Sequence, residues 1–183
     1  MKIKYLNIVI LSLLSSACAT QSQQSADYAR VCIDAEVRGA IYLAEANCER
    51  AWFGVDNNDL KANIQSQRLY DLARIKRQLL KFIEAEKFIR QSLVIEKTVS
   101  STESPMYGLR LVELSLSIAG QGNFPEAAVT LEPVLNVIEQ FSSQDKKLTV
   151  NVLKNVAARI RNTEQQQLAI RFDAKVLELQ QIR

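Results

Sequence analysis

Apolar positions in the body of this chain follow one pattern, written three times. Leu69-Tyr70-Asp71-Leu72-Ala73 is answered 42 residues later by Leu111-Val112-Glu113-Leu114-Ser115, and after a further 42 by Leu153-Lys154-Asn155-Val156-Ala157. The match continues downstream: Phe82 with Phe124, Glu84 with Glu126, Ala85 with Ala127 and Ala169, Leu93 with Leu135 and Leu177. A fixed offset of this kind marks a repeat architecture. Within one unit, Leu69, Leu72 and Ile75 form a stripe at helical spacing, and Phe82, Ala85, Ile89 and Leu93 form a second. Each unit therefore reads as helix, tight turn, helix. Gly120-Gln121-Gly122-Asn123 supplies the turn of the second unit. Pro125 follows in the first turn of the next helix, where it costs no hydrogen bond, and Glu126 suits that helix's positive end. Pro133 falls inside the same helix and is expected to kink it or end its regular part early. Ala73, Ser115 and Ala157 in the first helices, and Ala85, Ala127 and Ala169 in the second, are small where paired helices must approach. The links, Val99 to Ser104 and Ser142 to Gln144, are short and Ser-rich. One hairpin cannot cover its own apolar faces, but three stacked hairpins can.

Leu72-Ala73-Arg74-Ile75 leading into Lys81-Phe82-Ile83-Glu84-Ala85-Glu86, and Gly122-Asn123-Phe124-Pro125-Glu126-Ala127 in the next unit, resemble the tetratricopeptide repeat (TPR) family in its longer form of about 42 residues, known from kinesin light chains. The third unit, Val156-Ala157 to Ala169, is degenerate: it lacks the turn Gly, and Gln166 replaces the aromatic. The resemblance covers roughly Leu60 to Arg183. It implies an all-α fold, a right-handed superhelical stack of antiparallel hairpins, about four in number, with units at 57–98, 99–141 and 142–183. It also implies a concave groove lined by first helices that binds an extended peptide or a partner helix. Carried over position by position, that groove holds Gln67, Tyr70, Arg74, Arg77 and Gln78, then Leu109, Val112, Leu116 and Ala119, then Asn151, Lys154, Ala158 and Arg161. A basic start, an apolar middle and a basic end would suit a partner with an apolar anchor and acidic flanks. The alternative is that Val112 and Leu116 pack against neighbouring helices.

The N-terminal part is organised differently. Lys2 and Lys4 head an apolar run from Tyr5 to Leu14, broken only by Asn7 and Ser12 and followed by small residues up to Cys18. This is the layout of a secretory signal peptide, residues 1–17, and the run is too short to span a bilayer. Ser15-Ser16-Ala17-Cys18 resembles the lipobox of bacterial lipoproteins, with Ser15 where that box usually carries its Leu. The resemblance implies that Cys18 becomes the acylated N-terminus. Ala19, in place of Asp, implies the outer membrane and its periplasmic side. Residues 18–25 then read as the lipidated Cys and a flexible tether.

Residues 26–56 read as a further hairpin, an N-terminal cap. Tyr42-Leu43-Ala44-Glu45 faintly echoes Phe82-Ile83-Glu84-Ala85. Cys32 and Cys48 lie eight places either side of Ala40, so a turn near Gly39 puts both about 12 Å up their helices at 1.5 Å per residue. In an oxidising compartment that height match favours a cross-hairpin disulfide. Two buried thiols are the alternative. Trp52-Phe53 reads as core packing against the first repeat, or as an exposed aromatic anchor.

Composition narrows the chemistry. The 183 residues contain five Gly, three Pro and no His, which excludes His triads, His-ligated zinc and His-ligated haem. The formal charge is +3, and +1 without Lys2 and Lys4, too balanced to suggest nucleic acid. Charge alternates by block: −4 over residues 18–60, +5 over 61–98, −4 over 99–140 and +4 over 141–183. Either each hairpin stacks on a neighbour of opposite sign, or the scatter is chance over solvated faces. There is no phosphate-binding Gly-rich loop and no calcium-loop spacing. Glu84 with Glu86, or Asp71 with Glu84, reads as solvated ion-paired carboxylates rather than a catalytic pair. No cofactor, metal or small-molecule substrate is expected, and no enzymatic activity. The resulting expectation is a lipid-anchored protein-binding scaffold of the bacterial envelope. A pilotin-like periplasmic chaperone, delivering a client of a pilus or secretion system to the outer membrane, is the alternative.

Overall fold

The computed structural model describes residues 21–56 and 59–181. The leader and the Cys18 lipidation site lie outside them. Eight α-helices occur among the described residues: α1 (21–37), α2 (Ile41–Phe53), α3 (Ala62–Gln78), α4 (Phe82–Val99), α5 (Pro105–Gly120), α6 (Phe124–Leu131), α7 (Ser143–Ile160) and α8 (Gln166–Gln181). Each helix packs on the next, and α3, α5 and α7 also touch in succession, which makes an all-α solenoid of four hairpins. Residues 21–25, read above as tether, are helical, and Ser25 is buried with its hydroxyl donating to the Ala51 carbonyl at 2.7 Å.

The repeated apolar positions form the core. Leu69, Leu72, Ile75, Leu153, Val156 and Ile160 are at most 1% exposed, and Leu111 and Leu114 are buried. The six small positions are at most 1% exposed as well, and the Ser115 hydroxyl donates to the Ala127 carbonyl at 2.9 Å, where the paired helices cross. Counting back 41 residues from Ala73 and Ala85 gives Cys32 and Ala44, both fully buried. Cys32 and Cys48 are disulfide-bonded, with Cα atoms 5.2 Å apart. Cys32 thus stands at the crossing position that other hairpins fill with Ala or Ser, and Cys48 at the position of Ile89 in the next hairpin.

Three of the four turns are built alike. In the first, Gly39 N–H donates to the Glu36 carbonyl and Ala40 N–H to that of Ala35. Leu80 and Lys81 repeat this toward Arg77 and Lys76, and Gly122 and Asn123 toward Ala119 and Ile118. This is the helix-ending motif that needs a left-handed residue. Gly39 (φ +73°) and Gly122 (φ +86°) fit it, but Leu80 adopts φ +60° with its side chain 73% exposed. The N-terminal hairpin therefore shares the repeat's turn at an offset of 41. Leu80→Gly should stabilise the fold by about 1 kcal/mol, since left-handed Leu costs about 1–2 kcal/mol and the glycine's larger unfolded-state entropy returns part of that. Chemical denaturation checks it; a loss instead would mean that Leu80 contributes contacts exceeding its strain.

Helix starts follow side-chain caps. Ser104, Asn123 and Ser142 accept from the backbone N–H of Tyr107, Glu126 and Asp145. Pro133 ends α6 at Leu131, because it lacks an N–H and its ring crowds the preceding turn. The chain continues as 3-10 turns, Glu132–Asn136 and Ile138–Gln140. That tighter path puts Val137 and Phe141 against Gly108, where a Cβ would meet Val137 Cγ2 at 2.7 Å.

Candidate partner-binding face

The first-helix residues singled out above do not form one uniform groove. Arg74 ion-pairs with Glu36 of α1, lies 3.9 Å from Asp71, and stacks its guanidinium 5.3 Å from the centre of the Tyr70 ring. Gln78 Nε2 donates to the second Glu36 oxygen at 2.6 Å, and Arg77 Nε donates to Glu113 Oε1 of α5 at 2.6 Å. Arg74 and Arg77 are therefore matched by carboxylates from the hairpins on either side. Val112 is 2% exposed and so cannot meet a partner: it is a core residue, turned inward where α5 packs between α3 and α7. Leu109, Leu116 and Ala119 are half-buried against the same core. The apolar middle expected of the groove is mostly taken up by packing.

Burial changes two carboxylates in this region. Asp71 is 4% exposed rather than solvated, and desolvation, partly opposed by Arg74 and by the Gln67 amide, pushes its pKa up to about 6. Burial likewise raises Glu113 against the pull of Arg77. Because Asp71 titrates higher folded than unfolded, its ionised form destabilises the fold. That cost is complete above about pH 6 and vanishes as pH falls below about 4. Asp71→Asn should therefore stabilise by about 1–2 kcal/mol at neutral pH, the lost Arg74 contact offsetting part of the gain, and by less toward pH 4. Unfolding free energies of both proteins across that range should converge on acidification; parallel curves would refute the assignment.

A buried polar network that the apolar pattern did not announce joins α3, α4 and α5. Arg110 is 1% exposed. Its Nε donates to the hydroxyls of Ser66 and Ser92, each at 2.9 Å, one nitrogen donates to the Met106 carbonyl, and another lies 3.0 Å from Glu96 Oε2. Ser66 passes its own proton to Glu96 at 2.7 Å, Ser92 donates to the Ser66 carbonyl, and the Tyr70 ring lies 5.2 Å from the guanidinium carbon. Lys76, nearly buried, is a second case. Burial alone would lower its pKa, but Glu45, Glu49 and Glu84 hold it above the ordinary lysine value.

Ion pairs cross between hairpins in the sense of the charge blocks. Glu36, Glu45 and Glu49 reach Arg74, Lys76 and Lys81; Glu113 and Glu126 reach Arg77 and Arg90; Glu132 and Glu139 reach Arg171 and Lys175. Among the described residues, only Arg110 with Glu96 runs in the opposite sense. Alternation is thus consumed at the seams.

The open part of the face is its C-terminal end. Lys154 and Asn151 line a cleft of about 450 Å³ together with Lys146, Lys147, Val150, Leu179, Ser143, Gln180 and Glu139. Lys146, Lys147 and Lys154 have no ion-pair partner among the described residues, while Glu139 is held by Lys175 at 2.5 Å. Arg161, at the far end of α7, pairs with Asp173 at 2.8 Å and is not part of the cleft. Lys147, Asn151 and Lys154 repeat at four and three residues along α7, a signal present in the sequence but lost when the groove was taken to start at Asn151. Trp52 packs against the core, whereas Phe53 is 62% exposed with its ring edge on Phe88 at 6.1 Å.

No protein-family model matches the chain, and no curated protein matches it. Among solved structures, the crystal structure of nearly identical TPR-like repeats from a Podosopora anserina protein described as a kinesin light chain is similar, with a TM-score of 0.64 at 18% identity, over 92% of this chain and 84% of that one. The fold is that of TPR-like repeats. All four hairpins of this TPR-like solenoid contribute to the shared architecture.

Proposed function

We propose that the chain is a protein-binding scaffold of the bacterial envelope, held at the periplasmic side of the outer membrane by acyl chains on Cys18, and that it seats an acidic partner segment in the α7 cleft. The observation that carries this reading is the contrast within one face. Arg74, Lys76 and Arg77 on α3 are matched by carboxylates of neighbouring hairpins, while Lys147 and Lys154 have no ion-pair partner among the described residues beside the apolar Val150 and Leu179. Unmatched cations around an apolar floor complement a carboxylate-flanked apolar side chain. TPR-like folds are typically non-catalytic scaffolds, which fits a binding role. No described helix is long and apolar enough to cross a membrane.

Photocrosslinking in the native envelope tests the partner. A photoreactive residue at Lys154 or Asn151 should capture one protein, and charge reversal at Lys147 should remove the Lys154 adduct. Capture at neither position refutes the cleft. Cys18→Ser should release the chain from the membrane fraction, and its retention there would refute the anchor.

A further inference from the structure

The face of the hairpins opposite the first helices carries its own pattern. On α2, Tyr42 and Phe53 are 79% and 62% exposed; on α4, Ile83 and Val94 are 76% and 70% exposed. Each pair is eleven residues apart, close to three helical turns, and so shares a face. Both steps from α2 to α4 equal 41, the offset of the turns at Gly39 and Leu80. The Phe53 ring meets Phe88 of α4 edge-on, its centroid 6.1 Å away. The buried residues Ala85, Ser92 and Glu96 lie on the opposite side of α4.

The charge on this face is cationic. Lys87, Arg90 and Lys97 follow Ile83 at helical spacing. Arg90 is taken by Glu86 and Glu126, but Lys87 and Lys97 have no carboxylate partner among the described residues. Arg50 lies 5.6 Å from the Tyr28 ring centre rather than on an acid. The neighbouring carboxylates Glu45, Glu49 and Glu84 are turned to Lys76 and Lys81. Single exposed apolar residues are ordinary on any protein; four in register between unmatched cations are not.

The chain's start lies on the same edge. Ser25 bonds to the Ala51 carbonyl, so the beginning of α1 sits beside the last turn of α2, the turn that carries Phe53. Cys18 precedes the described helix by three residues, a reach of about 11 Å at most. We propose that the outer face of α2 and α4 lies on the anionic lipid surface, with Phe53, Val94, Tyr42 and Ile83 inserted among the headgroups and Lys87, Lys97 and Arg50 on the lipid phosphates. This rests on the anchoring of Cys18 proposed above. Aromatic and aliphatic side chains flanked by lysines whose stems reach toward phosphate make the usual chemistry of interfacial helices. It would also orient the solenoid, leaving the first-helix face directed away from the bilayer.

Full-chain protein reconstituted in vesicles of phosphatidylethanolamine and phosphatidylglycerol carrying brominated acyl chains tests this. In a Trp52→Phe background, Val94→Trp should be quenched severalfold more than Leu148→Trp, an exposed position on α7. That excess should be lost in phosphatidylcholine vesicles and in Lys87→Glu/Lys97→Glu. Protein that floats with the vesicles but shows equal quenching at both positions overturns the docking while leaving the anchor intact. Protein that does not float refutes the anchor; the Val94→Trp form is then titrated with the anionic vesicles, and absence of quenching overturns the docking too. Helical circular dichroism of each variant separates these outcomes from misfolding.

Discussion

Arg110→Met is expected to lose about 3–5 kcal/mol of folding stability, the largest effect of any single substitution considered for this fold. The side chain is 1% exposed and is the sole cation on Glu96 among the described residues, Glu96 itself being 5% exposed. Removing the guanidinium leaves an uncompensated carboxylate inside the α3–α4–α5 junction, together with the Ser66 and Ser100 hydroxyls that donate to it. The pair need not be stabilising in itself, because two desolvated ions cost nearly what their attraction returns. Arg110→Met combined with Glu96→Met is therefore expected to recover most of the loss. Guanidinium denaturation of the single and double variants decides this. A single-variant loss within about 0.5 kcal/mol, the size of an ordinary surface substitution, would show that the network carries little.

Cys32→Ser with Cys48→Ser should lower stability by about 3 kcal/mol, the chain-entropy value for a closed loop of this size. The sequence separation of the two cysteines is 16. The loss should appear first in α1 and α2, since an end hairpin has a neighbour on one side only. Glu36 and Glu45 would then detach from Arg74 and Lys76. Hydrogen exchange should show α1 amides deprotected while Leu153 and Val156 on α7 keep their protection. Dithiothreitol should reproduce the effect in the native protein and leave the double variant unchanged. Unaltered exchange in α1 would mean that packing of Cys32, Ala35, Ala44 and Cys48 holds the hairpin without the bond.

The hairpin arrangement was legible because one force, burial of apolar stripes, acts at short range and repeats with the sequence period. Leu69, Leu72, Ala73 and their equivalents need only their own helix and its partner to be placed. The charge blocks were legible for a related reason: ion pairs between stacked hairpins join residues whose positions recur with the same period. Val112 was misplaced because it belongs to the same stripe as residues that do face outward. Only the distance between α3, α5 and α7 decides how far along that stripe burial extends. Arg110 stayed hidden because a lone basic residue between Met106 and Leu114 carries no sign of being buried; Ser66, Ser92 and Glu96, which satisfy it, lie on two other helices.

By itself the sequence determined the helical hairpins, the crossing points occupied by small residues, and the sign of each block's charge, since these depend on backbone preferences and local spacing. Tertiary structure alone decided which charges remain open. Among the described residues, Lys147 and Lys154 have no ion-pair partner while Arg74 and Arg77 do, because a charge counts at a surface only after its neighbours in space have been assigned.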